Sequence, residues 1–146
     1  MKSRQKIIRV QLKVAPNEKY SLLGIVTAEP DYRLSLSLNK KLKISLKNNS
    51  PIEIRDKTGE LLNFSKFSDI NGAPDLTYNL ISNRSDKAFL FKKLKKIDYF
   101  FQVHSPGRDY NIDFLTTSLR GIESITAVFN LIPGDIKDKN LHYIIP

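Results

Sequence analysis

Ile97-Asp98-Tyr99-Phe100-Phe101-Gln102-Val103-His104 runs into Ser105-Pro106-Gly107. Ile112, Leu115 and Leu119 follow on one helical face, then Gly121, then residues 125–132 (Ile-Thr-Ala-Val-Phe-Asn-Leu-Ile). This stretch decides the fold. A short aromatic and β-branched run bounded by Pro-Gly predicts a strand. The spacing of Ile112, Leu115 and Leu119 predicts a helix that stops at Gly121, a natural C′ residue. A second β-rich run closed by Pro133-Gly134 predicts the strand that follows. Strand, helix and strand in succession place a helix over a sheet.

Working outward, residues 20–27 (Tyr-Ser-Leu-Leu-Gly-Ile-Val-Thr) are nearly continuous in apolar character, as a central strand covered on both faces would be. Gly24 within it suggests a bulge or a close neighbour. In the next stretch Leu34, Leu36 and Leu38 fit a strand, whereas Leu34, Leu38 and Leu42 fit a helix face. Pro30-Asp31 offers a helix start, with Asp31 as a cap accepting from the N–H of Arg33 or Leu34. We therefore expect a helix over 31–42, with Leu36 the residue that fits it worst.

Between these units the pattern is one of short strands. Ile52-Glu53-Ile54 leads through the turn Asp56-Lys57-Thr58-Gly59 to residues 61–67; Asn71-Gly72-Ala73-Pro74 breaks the chain before the alternating Leu76, Tyr78 and Leu80. Residues 7–14 alternate as a half-buried strand, and Pro16-Asn17 marks a turn. The fold class expected is α+β, a two-layer sandwich with two helices on one face of a mostly antiparallel sheet of six or seven strands. No low-complexity linker divides residues 1–146, so one domain is expected.

The chain has 146 residues, 40% apolar and 27% charged, an ordinary globular balance. It has no cysteine, which excludes disulfides, thiolate nucleophiles and thiolate metal sites. No run approaches the roughly 18 apolar residues of a membrane span. Lys2, Arg4 and Lys6 look like the start of a secretory signal, but Arg9, Gln11 and Lys13 break the apolar run that a signal needs. A cytoplasmic location without membrane association is expected, and Asn63-Phe64-Ser65 and Asn83-Arg84-Ser85 then carry no glycosylation meaning.

The net charge of +9 is segmental. Residues 1–14, 40–47 and 92–96 hold thirteen basic side chains and no acid, while the remainder is net negative. Convergence of Lys40, Lys41 and Lys43 with Lys92, Lys93, Lys95 and Lys96 would create a polyanion-binding patch. Phe89, Phe91, Tyr99 and Phe100 flank the second run and would add base stacking. The competing reading is that each run is the solvated side of its element.

Residues 32–39 (Tyr-Arg-Leu-Ser-Leu-Ser-Leu-Asn), 78–83 (Tyr-Asn-Leu-Ile-Ser-Asn) and 97–100 (Ile-Asp-Tyr-Phe) resemble the IPExxxVDY family, small uncharacterised bacterial proteins named for Ile-Pro-Glu, three residues, Val-Asp-Tyr. Residues 91–99 form the motif window: Asp98 and Tyr99 match, Ile97 stands for Val, and Lys92-Lys93 replace Pro-Glu. The resemblance spans residues 20–143. It implies no reaction, substrate or cofactor, and the Lys92-Lys93 replacement argues against a shared catalytic task for that dipeptide.

Asp98 and Tyr99 would bind a polar ligand at a sheet end; alternatively, Asp98 accepts backbone N–H bonds and Tyr99 packs. Tyr32, Arg33 and Asn39 would form a recognition surface on the first helix, or serve as a half-buried ring, a paired cation and a loop clamp. His104 with Ser105 and Asp109 invites a hydrolase reading, but a triad needs a geometry that neighbouring strand-end residues rarely give, and no Gly-x-Ser-x-Gly elbow is present. Gly107 and Arg108 before a helix offer anion capture. His104 and His142 lie far apart, and Asp135 and Asp138 lack an oxygen-rich loop, so neither metal nor cofactor is expected. The leading expectation is a non-catalytic binding module with an unidentified protein partner; the alternative is a basic RNA- or DNA-binding protein.

Overall fold

A computed structural model describes residues 20–70, 76–86, 88–106 and 110–145. The expected strand at 7–14, the turn at 16–17, the break at 71–74 and the basic segment at 1–14 fall largely or wholly outside them. So do Gly107, Arg108 and Asp109.

The elements are β1 (Tyr20–Thr27), α1 (Asp31–Leu42), β2 (Lys47–Arg55), β3 (Leu61–Asp69), β4 (Thr77–Ser82), β5 (Arg84–Ser85), β6 (Ala88–Phe89), β7 (Tyr99–His104), α2 (Ile112–Arg120) and β8 (Ile125–Leu131). A 3₁₀ turn occupies Lys92–Leu94, and two more, Pro133–Asp135 and Lys139–Tyr143, follow β8. Six strands form one sheet in the order β2-β3-β4-β7-β1-β8, every pair antiparallel, and β5 pairs with β6 separately. The α+β architecture is as expected.

The pleat of β7 divides the interior. Tyr99, Phe101 and Val103 face the helices and pack with Leu34, Leu38, Leu115 and Leu119. Phe100 faces the other way, with Leu22, Phe64, Ile81, Phe91, Ile97 and Ile144. That second face is covered not by helices but by the irregular segments 89–97 and 133–145. Gly24 is explained here. A Cβ built on it would stand 2.6 Å from Ile97 Cδ1, so Ile97 seats directly on the β1 backbone. The close neighbour, rather than a bulge, is at Gly24; the register shift of β1 falls at Val26 and Thr27.

The start of α1 differs from expectation. Pro30 occupies the cap position without a side-chain bond, and Asp31 is already helical, its Oδ1 accepting from the Tyr32 N–H at 2.7 Å. A carboxylate in the first turn still opposes the helix dipole's positive end. Leu36 faces solvent, as its poor fit foretold. α2 is capped by Asn111, whose Oδ1 accepts from the Phe114 N–H, and ends at Gly121.

Polar side chains cross the second face as a ladder. Asn49 Nδ2 donates to Ser68 Oγ (3.1 Å), Ser68 Oγ to Asn79 Oδ1 (2.5 Å), and Asn79 Nδ2 to Gln102 Oε1 (2.6 Å). Gln102 Nε2 then donates to the Ile144 carbonyl. Buried polar groups are tolerable only when partnered, and this chain of bonds partners the buried Ser68 and Gln102 while tying the C-terminal segment to the sheet.

Candidate functional site

Asn83 is fully buried and organises the segment that follows it. Its Nδ2 donates to the Leu94 and Ile97 carbonyls (2.9 and 2.8 Å), and its Oδ1 accepts from the Phe91 N–H (2.8 Å). Its backbone accepts from the Leu90 N–H and donates to the Asp98 carbonyl. Asn140 Nδ2 holds the Leu90 carbonyl from the C-terminal side (2.7 Å). A run of four lysines in five residues is thereby fixed as a turn against the sheet.

Beside this turn lies a groove of about 510 Å³. One wall is residues 92–97; the other is Phe129, Asn130 and Leu131 of β8. Among the described residues β8 is an edge strand, which leaves Phe129 48% exposed. Leu94, Ile97, Phe129 and Leu131 supply an apolar lining, and Lys92, Lys93, Lys95 and Lys96 are all exposed at the groove. The lining includes no carboxylate. Among the described residues no carboxylate lies within ion-pair distance of these lysines; Lys95 instead reaches the Phe89 ring, its Nζ 5.9 Å from the centroid.

Lys40, Lys41 and Lys43 do not join them. They sit at the end of α1, in the layer over the opposite face of the sheet. The ammonium of Lys41 lies against Gly121 at the end of α2, where a cation complements the helix dipole. Lys43 closes α1 in a left-handed conformation (φ 57°). The sheet separates these lysines from the 92–96 run, so the two runs do not meet in one patch. Of the aromatics flanking the second run, Phe91, Tyr99 and Phe100 are core side chains and Phe89 is half-buried.

Asp98 and Tyr99 line a separate polar hollow of about 380 Å³ where β1 turns into α1. Asp98 Oδ2 accepts from the Thr27 N–H (3.0 Å), Asp98 Oδ1 pairs with Arg84 Nε (2.9 Å), and the Tyr99 hydroxyl donates to the Glu29 carbonyl (2.7 Å). These bonds fasten β7 to the β1–α1 turn. Tyr32 and Arg33 are exposed in the first turn of α1, and neither lines the hollow. Asn39, near the other end of α1, clamps Leu46 through both its carbonyl and its N–H (3.1 and 2.7 Å). Asp98 and Tyr99 thus share one hollow, and Tyr32, Arg33 and Asn39 lie outside its lining.

Burial, and then the negative charge of Asp31, pushes the Tyr99 hydroxyl from 10.0 up to about 12. The folded state therefore favours the neutral phenol. Its contribution is complete below pH 10 and is lost as pH rises from 10 through 12. Thermal unfolding midpoints should fall across that window, and Tyr99→Phe should remove part of the fall; parallel curves for the two proteins would refute the assignment.

His104 stacks on Tyr20 across the β1–β7 pair, with ring centroids 4.2 Å apart. The hollow it lines holds about 120 Å³, and Lys66 is the charged member of its lining among the described residues. Among the described residues no group of three or more His, Asp or Glu is placed to hold a metal ion. No helix there is long and apolar enough to cross a membrane.

The groove itself was missed by sequence reasoning. The lysine run was visible as charge, but Phe129 reads as one more strand residue until the topology puts β8 at an edge. No family model matches the chain, and no curated protein matches it.

Proposed function

We propose that the chain is a non-catalytic binding module of the bacterial cytoplasm, and that its binding site is the lysine-walled groove between residues 92–97 and β8. The observation that carries this reading is the cluster of lysines on one backbone-fixed turn, none of them in an ion pair among the described residues. Four exposed lysines project from one turn whose backbone Asn83 holds, beside an apolar lining and without a carboxylate among the groove's lining residues. Like charges held together repel, and an anion entering the groove relieves that repulsion. The volume falls within the range of about 300–1,000 Å³ usual for small-ligand sites. The resemblance to the IPExxxVDY family supplies no reaction to set against a binding role. A polyanion role spanning both lysine runs loses its basis, since the runs lie over opposite faces of the sheet.

Thermal-shift measurements with four classes of anion test the proposal: nucleotides, single-stranded oligonucleotides, acyl carboxylates and acidic peptides. A ligand at 100 times its Kd adds about 2.7 kcal/mol, which raises the midpoint by on the order of 10 °C in a chain of this size. At least one class should stabilise the protein and lose its effect in the Lys92→Glu/Lys96→Glu variant. Failure of every class, or stabilisation that survives the charge reversal, would overturn the proposal.

A further inference from the structure

Resting on the groove as the binding site, we infer that its ligand is a free fatty acid, an acyl carboxylate taken up as a monomer. The chemistry of the two walls selects it. A polar anion needs only the lysines, and would leave Leu94, Phe129 and Leu131 facing water to no purpose. An acyl chain covers those three side chains, above the already buried Ile97, and removes their apolar surface from solvent, which is the main source of favourable free energy in such a site. Its carboxylate then meets ammonium groups that have no carboxylate partner among the described residues. The lysine stems add apolar surface of their own while their charged ends stay at the rim.

Three competing occupants fit less well. Single-stranded nucleic acid binds by stacking successive bases on aromatic rings. Of the four apolar side chains here only Phe129 is aromatic, and the aromatics flanking the lysine run at 91, 99 and 100 are core residues. An acidic peptide added to β8 as a further strand would have to displace Arg120, whose Nη2 donates to the Val128 carbonyl at 3.1 Å. The chain's own residues 1–14 carry five basic side chains and no acid, the wrong sign for this wall.

Isothermal titration of the full chain with octanoate, decanoate and dodecanoate, each below its micelle-forming concentration, tests the inference. Every methylene that enters the groove should tighten binding about fourfold (about 0.8 kcal/mol). Phe129→Ala, a change at a half-exposed residue, should flatten this dependence on chain length. Lys92→Glu/Lys96→Glu should weaken dodecanoate at least tenfold, and dodecanol should bind more weakly than dodecanoate. Binding that ignores chain length, or that survives the charge reversal, overturns the inference. Oligonucleotides or acidic peptides binding while dodecanoate does not would overturn it too, yet leave the binding module standing. Association with anionic phospholipid vesicles but not with monomeric dodecanoate would reject the free acid as the source. Binding of no anion at all would reject both proposals.

Discussion

Asn83→Ala is expected to cost about 3–5 kcal/mol of folding stability and to dismantle the groove in the same step. The side-chain amide serves three backbone groups: the Phe91 N–H and the Leu94 and Ile97 carbonyls. Alanine leaves the buried Phe91 N–H and Ile97 carbonyl without that partner, while the part-buried Leu94 carbonyl keeps only the Ile97 N–H. Each buried unsatisfied group costs roughly 1–3 kcal/mol, and partial relaxation keeps the total below the sum. Asn83→Asp sharpens the test. The carboxylate can still accept from Phe91, but where the amide donated it now faces two carbonyl oxygens, and it carries a buried charge; it should be no better than alanine. Ser82→Ala, one position away on the half-buried side, should cost under about 1 kcal/mol. Urea unfolding gives the stabilities, and amide exchange at Phe91 reports the local opening. A loss below about 1 kcal/mol for Asn83→Ala would show that the turn is held by other means.

The importance of Asn83 could not be read from the sequence, where Asn83-Arg84-Ser85 is a polar triplet after a strand. The bonds that make it a clip run to residues 91, 94 and 97, and nothing in a local pattern marks them. By contrast, β7 was legible as an aromatic and β-branched run ended by Pro-Gly, and α1 from Leu34, Leu38 and Leu42 once Pro30-Asp31 marked a helix start over the competing period of 2. β1 was legible as a central strand because both of its faces are apolar, and it does lie between β7 and β8. β8 carries a similarly apolar pattern but lies at an edge among the described residues. Whether a strand is central or peripheral depends on pairings made far along the chain. The cover of the second face was hidden for a further reason. Ile136, Leu141 and Ile144 follow no period, since they sit in 3₁₀ turns and connections, yet they close one of the two cores. Asp98 was legible in kind, as an acceptor of backbone N–H bonds, though not its pairing with Arg84.

Phe100→Ala and Phe101→Ala should each cost about 3–5 kcal/mol, and should differ in what else they damage. Both rings are fully buried in β7, the strand between β4 and β1, so their truncation leaves cavities in a sheet that is covered on both faces. A loss of that size is a large share of the roughly 5–15 kcal/mol that holds an ordinary domain, and it lowers the thermal midpoint by on the order of 10–20 °C. The pleat then separates the consequences. Phe101 stacks on Tyr78 at 5.8 Å beneath the helices, so its cavity opens in the helix-side core. Phe100 meets Phe91 edge to face at 5.0 Å, and Phe91 immediately precedes the lysine turn. At a temperature where both variants remain folded, Phe100→Ala should loosen the 92–97 segment and raise its amide exchange, while Phe101→Ala should leave that segment close to the parent. Ligand binding in the groove should follow the same division. If Phe101→Ala disturbed the lysine turn as strongly as Phe100→Ala, the sheet would not insulate one core from the other, and the groove would have to be treated as a property of the whole fold.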